Sequence, residues 1–189
     1  GPKSGGHQGA KYEELFAPEH QLEAILPPIK EERDKWGDFP IIAAGGIWDN
    51  NDIKNIMALG ADAVQMGTRF IGTYECDASD VLKQVLLNAK EEDIVIVSSP
   101  VGYPGRAVKT NLIKTLEPNT KKIKCISNCI FPCERGKGAN RVGYCIADSL
   151  GDAYLGRLQS GLFFSGANGW RLNKIVHVKD LIDELMTTN

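Results

Sequence analysis

The sequence predicts an α/β chain: the C-terminal part of a (β/α)8 barrel, followed by a cysteine-containing insertion and C-terminal helices. Two apolar stretches, 40–44 and 62–66, each run into a glycine turn, and one helix-length segment separates them. Parallel strands need such a crossover, and a strand covered on both faces is apolar throughout. We count three candidate barrel strands in 189 residues, whereas a complete barrel takes roughly 250 residues. We therefore expect the earlier strands to belong to an N-terminal half of the same protein.

The elements around these strands follow from apolar spacing and from helix-ending residues. Residues 18–36 carry apolar side chains at helical spacing, and Pro27-Pro28 is expected to divide them into two helical segments. Asp49 or Asn50 is expected to cap the crossover helix, 50–59. The first unit of the chain, 1–92, is thus predicted to hold the barrel strands and their helices.

The second unit, 93–189, is predicted to be a loop-rich insertion with a C-terminal helical region. A β-branched run at 93–98 predicts a short strand, and the glycine- and proline-containing stretch 100–109 predicts a loop. Helical spacing predicts the helices 77–90, 111–117, 144–159 and 177–186.

Composition excludes several classes of function. The formal net charge of −2 offers no basic surface for nucleic acid, so no nucleic acid partner is expected. No apolar run approaches the ~20 residues of a membrane span. Five cysteines and no signal peptide favour a reducing, cytoplasmic location.

The paired glycine turns predict a phosphate site. Gly45-Gly46 follows the first strand, and Gly67-Thr68 follows the second. Adjacent turns of this kind can place several backbone N–H groups around one phosphate. In (β/α)8 barrels a phosphate site commonly follows the last two strands. A nucleotide or a flavin is therefore the expected ligand.

Three blocks of sequence carry a resemblance to a known family. SGGHQG at 4–9, AAGGI at 43–47 and QMGTRF at 65–70, in this order, resemble the nitronate monooxygenases, formerly called 2-nitropropane dioxygenases. The flavin-dependent enoyl-acyl-carrier-protein reductases share the same blocks. The segments YCIADSL at 144–150 and SGANGWR at 165–171 are similar to longer NAD(P)H-dependent flavin oxidoreductases of the same superfamily.

The resemblance implies an FMN cofactor at the C-terminal end of the barrel. Backbone N–H groups of Gly45, Gly46, Gly67 and Thr68 would then bind the FMN phosphate, and the Thr68 hydroxyl would be a further donor. The resemblance also implies that His7 is a base toward the substrate, a role that suits a side chain that titrates near neutral pH. The complete set of expected cofactor-binding residues is Gly5, Gly6, Ala44, Gly45, Gly46, Gln65, Met66, Gly67 and Thr68.

The expected activity is an FMN-dependent, nitronate monooxygenase-like oxidation of alkyl nitronates with dioxygen, which releases a carbonyl compound and nitrite. Two alternatives stay open. One is an NAD(P)H-dependent flavin reductase, such as an enoyl-acyl-carrier-protein reductase, and the other is a non-catalytic fragment. The expected partners are a small-molecule substrate with dioxygen or NAD(P)H, the N-terminal half, and a second copy if open sheet edges pair.

The cysteines and two arginines give weaker signals. Cys125, Cys129, Cys133 and Cys145 could ligate zinc or an iron–sulfur cluster, but their spacing is not that of common zinc sites. We therefore expect no metal, and name these four residues as the ligands if one is present. Arg106 and Arg171 are expected either to meet an anionic ligand or to fix a loop through a salt bridge.

Overall fold

In the computed structural model, the described residues are 1–116, 129 and 142–187. They form a mixed α/β fold with five short strands and seven α-helices. The strands are β1 (Gly6–His7), β2 (Ile42–Ala44), β3 (Ala63–Gln65), β4 (Ile94–Val97) and β5 (Gly105–Val108). The helices are α1 (Leu22–Trp36), α2 (Asn50–Ala58), α3 (Thr68–Ile71), α4 (Asp80–Leu87), α5 (Asn111–Lys114), α6 (Ile146–Tyr154) and α7 (Val178–Met186).

The predicted strand–helix–strand unit is confirmed. β2 and β3 pair in parallel, with Ala43 opposite Val64, and α2 is the crossover between them. Ala43 is buried against Leu26 of α1 and Ile56 of α2, so both helices cover this face of the two-stranded sheet. Ile42 points to the opposite face and is 60% exposed. The sheet is therefore packed on one side only.

A second sheet has the strand order β1-β5-β4, and both pairings are antiparallel. Its middle strand corrects the prediction that 100–109 is a loop. All four residues of β5 are buried, and β5 has neighbours on both sides, with Gly6 and Ile96 both opposite Arg106. Burial and pairing on two edges outweigh the turn-forming residues that precede the strand. This sheet attaches the N-terminal loop to the second half of the chain.

The predicted break at Pro27-Pro28 is wrong, because α1 runs without interruption from Leu22 to Trp36. Pro27 and Pro28 are the sixth and seventh residues of α1, so they remove the N–H donors that would otherwise bond to the carbonyls of Glu23 and Ala24. Leu26 is only 2% exposed and packs into the core beside Leu22. Tertiary packing thus maintains the helix across a pair of residues that disfavour it.

The helices predicted at 77–90, 111–117, 144–159 and 177–186 are confirmed, with shorter bounds. Asp49 is the N-cap of α2, and its carboxylate accepts from the N–H of Asp52 at 3.1 Å. α4 begins after Ser79, which caps it through the N–H of Leu82. None of the helices in the described ranges combines the length and apolar character that a membrane crossing requires.

Candidate ligand-binding cleft

One cleft of about 420 Å³ gathers residues from segments that are far apart in the sequence. The N-terminal loop, the two glycine turns and the segment 164–169 form its walls. The nine residues predicted to bind a cofactor all line it: Gly5, Gly6, Ala44, Gly45, Gly46, Gln65, Met66, Gly67 and Thr68. The parallel pairing of β2 and β3 explains this, because it brings the carboxyl ends of both strands to the same edge.

The first turn needs glycine for two reasons. Gly45 and Gly46 have φ angles of 99° and 79°, a backbone conformation that L side chains rarely adopt. A Cβ on Gly46 would also lie 2.7 Å from Cδ of Lys3, and one on Gly45 would lie 2.8 Å from the backbone N of Ser4. The N-terminal loop therefore packs directly on this turn.

The second turn is different, because none of the described residues requires glycine at position 67. Gly67 has a φ of −107°, and a Cβ built there meets no atom within 4 Å. Within the described residues, the N–H groups of Gly46 and Gly67 donate to no protein acceptor. Two unpaired N–H groups and an open space at Gly67 suit an anionic ligand in contact with the backbone.

The segment 165–171, which we call the strap, forms the wall that sequence reasoning missed. Its Asn168 amide donates to the Gly46 carbonyl at 2.7 Å, and the N–H of Gly166 donates to Thr68 Oγ1 at 2.9 Å. The strap thus contacts both glycine turns from about 100 residues away in sequence. The sequence marks this segment as the block SGANGWR, in which Arg171 is the one residue named as a candidate for an anionic ligand.

Arg171 of the strap forms a salt bridge with Asp49 at 2.8 Å. Of the two roles expected for Arg171, the structure shows the salt bridge that fixes a loop. This salt bridge joins the strap to the N-cap of α2. The backbone N–H of Asp52 and the guanidinium of Arg171 lower the pKa of Asp49, although partial burial acts in the opposite direction. The neighbouring Trp170 is 36% exposed.

Arg69 places a buried cation in the cleft wall. Its side chain is 7% exposed and its guanidinium lies 2.8 Å from Glu184 of α7 and 5.0 Å from the centre of the Trp48 ring. Because Glu184 balances this charge, Arg69 connects the second glycine turn to the C-terminal helix. Its main contribution is to hold the wall, since a paired arginine offers little charge to a ligand.

His7 lies next to the cleft and is not among the residues that line it. It follows the cleft residue Gly6, and its ring meets Phe164, another cleft residue, edge-on at 5.2 Å between centroids. Its Nε2 atom lies 2.7 Å from Oγ of Ser99. Partial burial lowers the pKa of His7 below its ordinary value of 6.5. The imidazole is therefore neutral at pH 7.

Ser99 contacts His7 directly, and Tyr144 contacts the neighbouring Ser98 carbonyl. Ser99 is 6% exposed, and Tyr144 is 4% exposed and donates to the Ser98 carbonyl at 3.0 Å. Burial raises the pKa of Tyr144 to about 12, and a hydrogen bond with Ser99 acts in the other direction. The phenol therefore stays protonated and neutral, and Ser99, the side chain that contacts the imidazole, adds no charge beside it.

Arg106 is 8% exposed, and its Nη2 atom donates to the Pro2 carbonyl at 2.8 Å. No carboxylate in the described ranges lies within 4.0 Å of it, and burial lowers its pKa. Arg106 does not line the cleft, so the structure separates it from the expected ligand site. Its observed contact fixes the N-terminal loop over β5.

Two of the four cysteines named as alternative metal ligands fall outside the described residues. Cys125 and Cys133 lie there, whereas Cys129 is exposed and Cys145 is buried. Within the described part of the chain, no group of three or more histidine, cysteine or acidic side chains is arranged to hold a metal.

Comparisons with known proteins agree with one another. The family model for nitronate monooxygenase matches residues 1–188. A probable nitronate monooxygenase from Staphylococcus aureus (strain Newman) is 32% identical over 121 residues, which cover 61% of this chain and 32% of that protein. The chain therefore matches about a third of the length of this curated relative.

Solved structures share the fold. FabK from Thermotoga maritima superposes with a TM-score of 0.69 at 24% identity, over 98% of this chain and 51% of that chain. A nitroalkane oxidase from Streptomyces ansochromogenes superposes with a TM-score of 0.65 at 24% identity, over 97% of this chain and 48% of that chain. The fold thus corresponds to about half of each of these proteins.

Proposed function

This chain belongs to the nitronate monooxygenase family, and from that premise we propose that it binds FMN and oxidises alkyl nitronates with dioxygen. The observation that carries the proposal is the cleft itself. Nine residues from three segments meet there, and the two glycine turns that line it include N–H groups with no acceptor among the described residues. Such an arrangement suits the phosphate of a mononucleotide, and the volume lies within the usual range for small-molecule sites.

The fit to FMN rests on the two turns. Gly46 and Gly67 would donate backbone N–H groups to the phosphate, and Thr68 would add its hydroxyl proton, since its oxygen already accepts from Gly166. Ala44, Gln65 and Met66, at the ends of β2 and β3, would contact the rest of the cofactor. When bound, the flavin supplies the redox chemistry.

His7 is the proposed base. A neutral imidazole accepts a proton from a nitroalkane carbon, or hydrogen-bonds a nitronate once protonated. If the ring proton is on Nε2, it is donated to Ser99, and Nδ1 is the nitrogen that accepts the substrate proton. Gly5 and Gly6, which line the cleft beside His7, have no side chains that would block a ligand.

We also propose that β2 and β3 are two strands of a (β/α)8 barrel whose other strands lie in an N-terminal half. The exposed face of the two-stranded sheet, with Ile42 at 60% exposure, supports this. The correspondence to about half of each solved structure supports it as well. A second copy of the chain is the alternative neighbour for this face.

Oxygen uptake tests the proposed activity. The protein with added FMN is expected to consume dioxygen on addition of propyl-2-nitronate, and to release acetone and nitrite.

An NAD(P)H-dependent reductase is the second candidate, because the strap that lines the cleft carries the block similar to such enzymes. Rapid anaerobic bleaching of the flavin by NADPH, with no nitronate-dependent oxygen uptake, would favour it. If the flavin-loaded protein shows neither activity, the non-catalytic alternative is favoured.

A further inference from the structure

We propose that Asn168 is a direct ligand of the cofactor phosphate, a role that rests on the proposed function. Asn168 lines the cleft from the strap, next to the first glycine turn. The sequence blocks that predicted the site did not include it. Its side chain is half-buried and holds one defined contact, an Nδ2-to-oxygen distance of 2.7 Å to the Gly46 carbonyl.

This contact fixes the orientation of the amide. A carbonyl oxygen only accepts hydrogen bonds, so the nitrogen of the Asn168 side chain, and not its oxygen, faces Gly46. The amide nitrogen has two hydrogens, and the bond to Gly46 uses one. The other hydrogen is available to a ligand in the cleft that Asn168 lines.

The same hydrogen bond reduces the repulsion between the Gly46 carbonyl oxygen and a phosphate bound beside it. An unpaired Gly46 carbonyl next to a phosphate would repel it, whereas a carbonyl that accepts from Asn168 has part of its charge compensated. A neutral amide can therefore both shield the Gly46 oxygen and donate to a phosphate. A carboxylate at the same position would do neither.

The strap holds Asn168 at a fixed distance from both turns. The N–H of Ala167 donates to the Lys3 carbonyl at 2.9 Å, and that of Gly166 donates to Thr68. On the other side, Arg171 pairs with Asp49. A Cβ on Gly169 would lie 1.9 Å from Oγ of Ser165, which shows how closely the strap is folded. The amide is thus preorganised for a ligand between the turns.

A comparison of FMN with riboflavin tests the assignment, because the two differ only in the phosphate. We expect Asn168→Ala to weaken FMN binding about tenfold and Asn168→Asp about a hundredfold, as one or more charge-assisted bonds are lost. Riboflavin affinity is expected to change less than about twofold in both variants. Flavin fluorescence quenching measures the dissociation constants of both flavins for the unmodified protein and for each variant. Asn173→Asp is the matched control, because Asn173 is exposed and outside the cleft while the charge change is the same.

Equal losses for FMN and riboflavin would mean that Asn168 only supports the cleft wall, and would overturn the assignment. Unchanged FMN affinity in both variants would overturn it as well, while leaving FMN binding by the protein intact. If the unmodified protein binds neither flavin, the proposed function fails and this role fails with it. A thermal unfolding curve for each variant separates a lost ligand contact from a lost fold.

Discussion

Replacement of Gly67 by valine is expected to weaken FMN binding by about a hundredfold or more while the protein stays folded. A Cβ at this position meets no protein atom within 4 Å, and φ is −107°, so the backbone accepts a side chain. The added methyl groups would occupy the cleft where the phosphate is expected to contact the backbone. Loss of two charge-assisted bonds accounts for an effect of this size. A fluorescence titration with FMN measures it.

Gly151→Val is the matched control, since a Cβ there also meets no atom within 4 Å and lies on α6, outside the cleft. It is expected to bind FMN as the parent does. Gly46→Val should also weaken FMN binding, but its positive φ and the contact with Lys3 would disturb the turn itself. Parental FMN affinity in Gly67→Val would remove the cleft from consideration as the phosphate site.

Replacement of His7 by alanine is expected to lower turnover of a neutral nitroalkane by about 10²–10⁴-fold, the usual contribution of a general base. Turnover of the preformed nitronate should fall less, about tenfold or more, because only a hydrogen bond to an anion is lost. FMN should remain bound, since His7 does not line the cleft. Steady-state oxygen uptake with each substrate form measures both effects.

The pH dependence follows from the lowered pKa of His7. Because partial burial disfavours the imidazolium, the base is neutral at pH 7, and nitroalkane turnover should fall on acidification only below pH 6.5. His20→Ala is the control, because His20 lies in the turn before α1, away from the cleft. If His7→Ala turns over at the parental rate with an unchanged pH profile, His7 is a structural residue and not the base.

The glycine turns allowed most of the cleft to be predicted from the sequence. Two apolar strands joined by one helix must be parallel neighbours, so Gly45-Gly46 and Gly67-Thr68 had to meet at one edge. The cap at Asp49 was equally local, because it depends only on a short polar side chain before a helix. Inferences of this kind need no knowledge of distant parts of the chain.

What the sequence did not predict depends on distant contacts. β5 is a middle strand because β1 pairs with its second edge, and β1 lies far away in the sequence, with Gly6 opposite Arg106. α1 continues through Pro27-Pro28 because Leu26 is buried in the core. Asn168 reaches Gly46 across 122 positions, a separation that no local pattern encodes.

The most direct test of the central claim is an NMR titration of the isotopically labelled protein with FMN, observed at backbone amides. The phosphate is expected to shift the N–H resonances of Gly46, Gly67 and Thr68 strongly. Riboflavin should shift them far less, because it lacks the phosphate. That pattern would place the phosphate between the two glycine turns. FMN binding that leaves these three amides unmoved, or no FMN binding at all, would contradict the account.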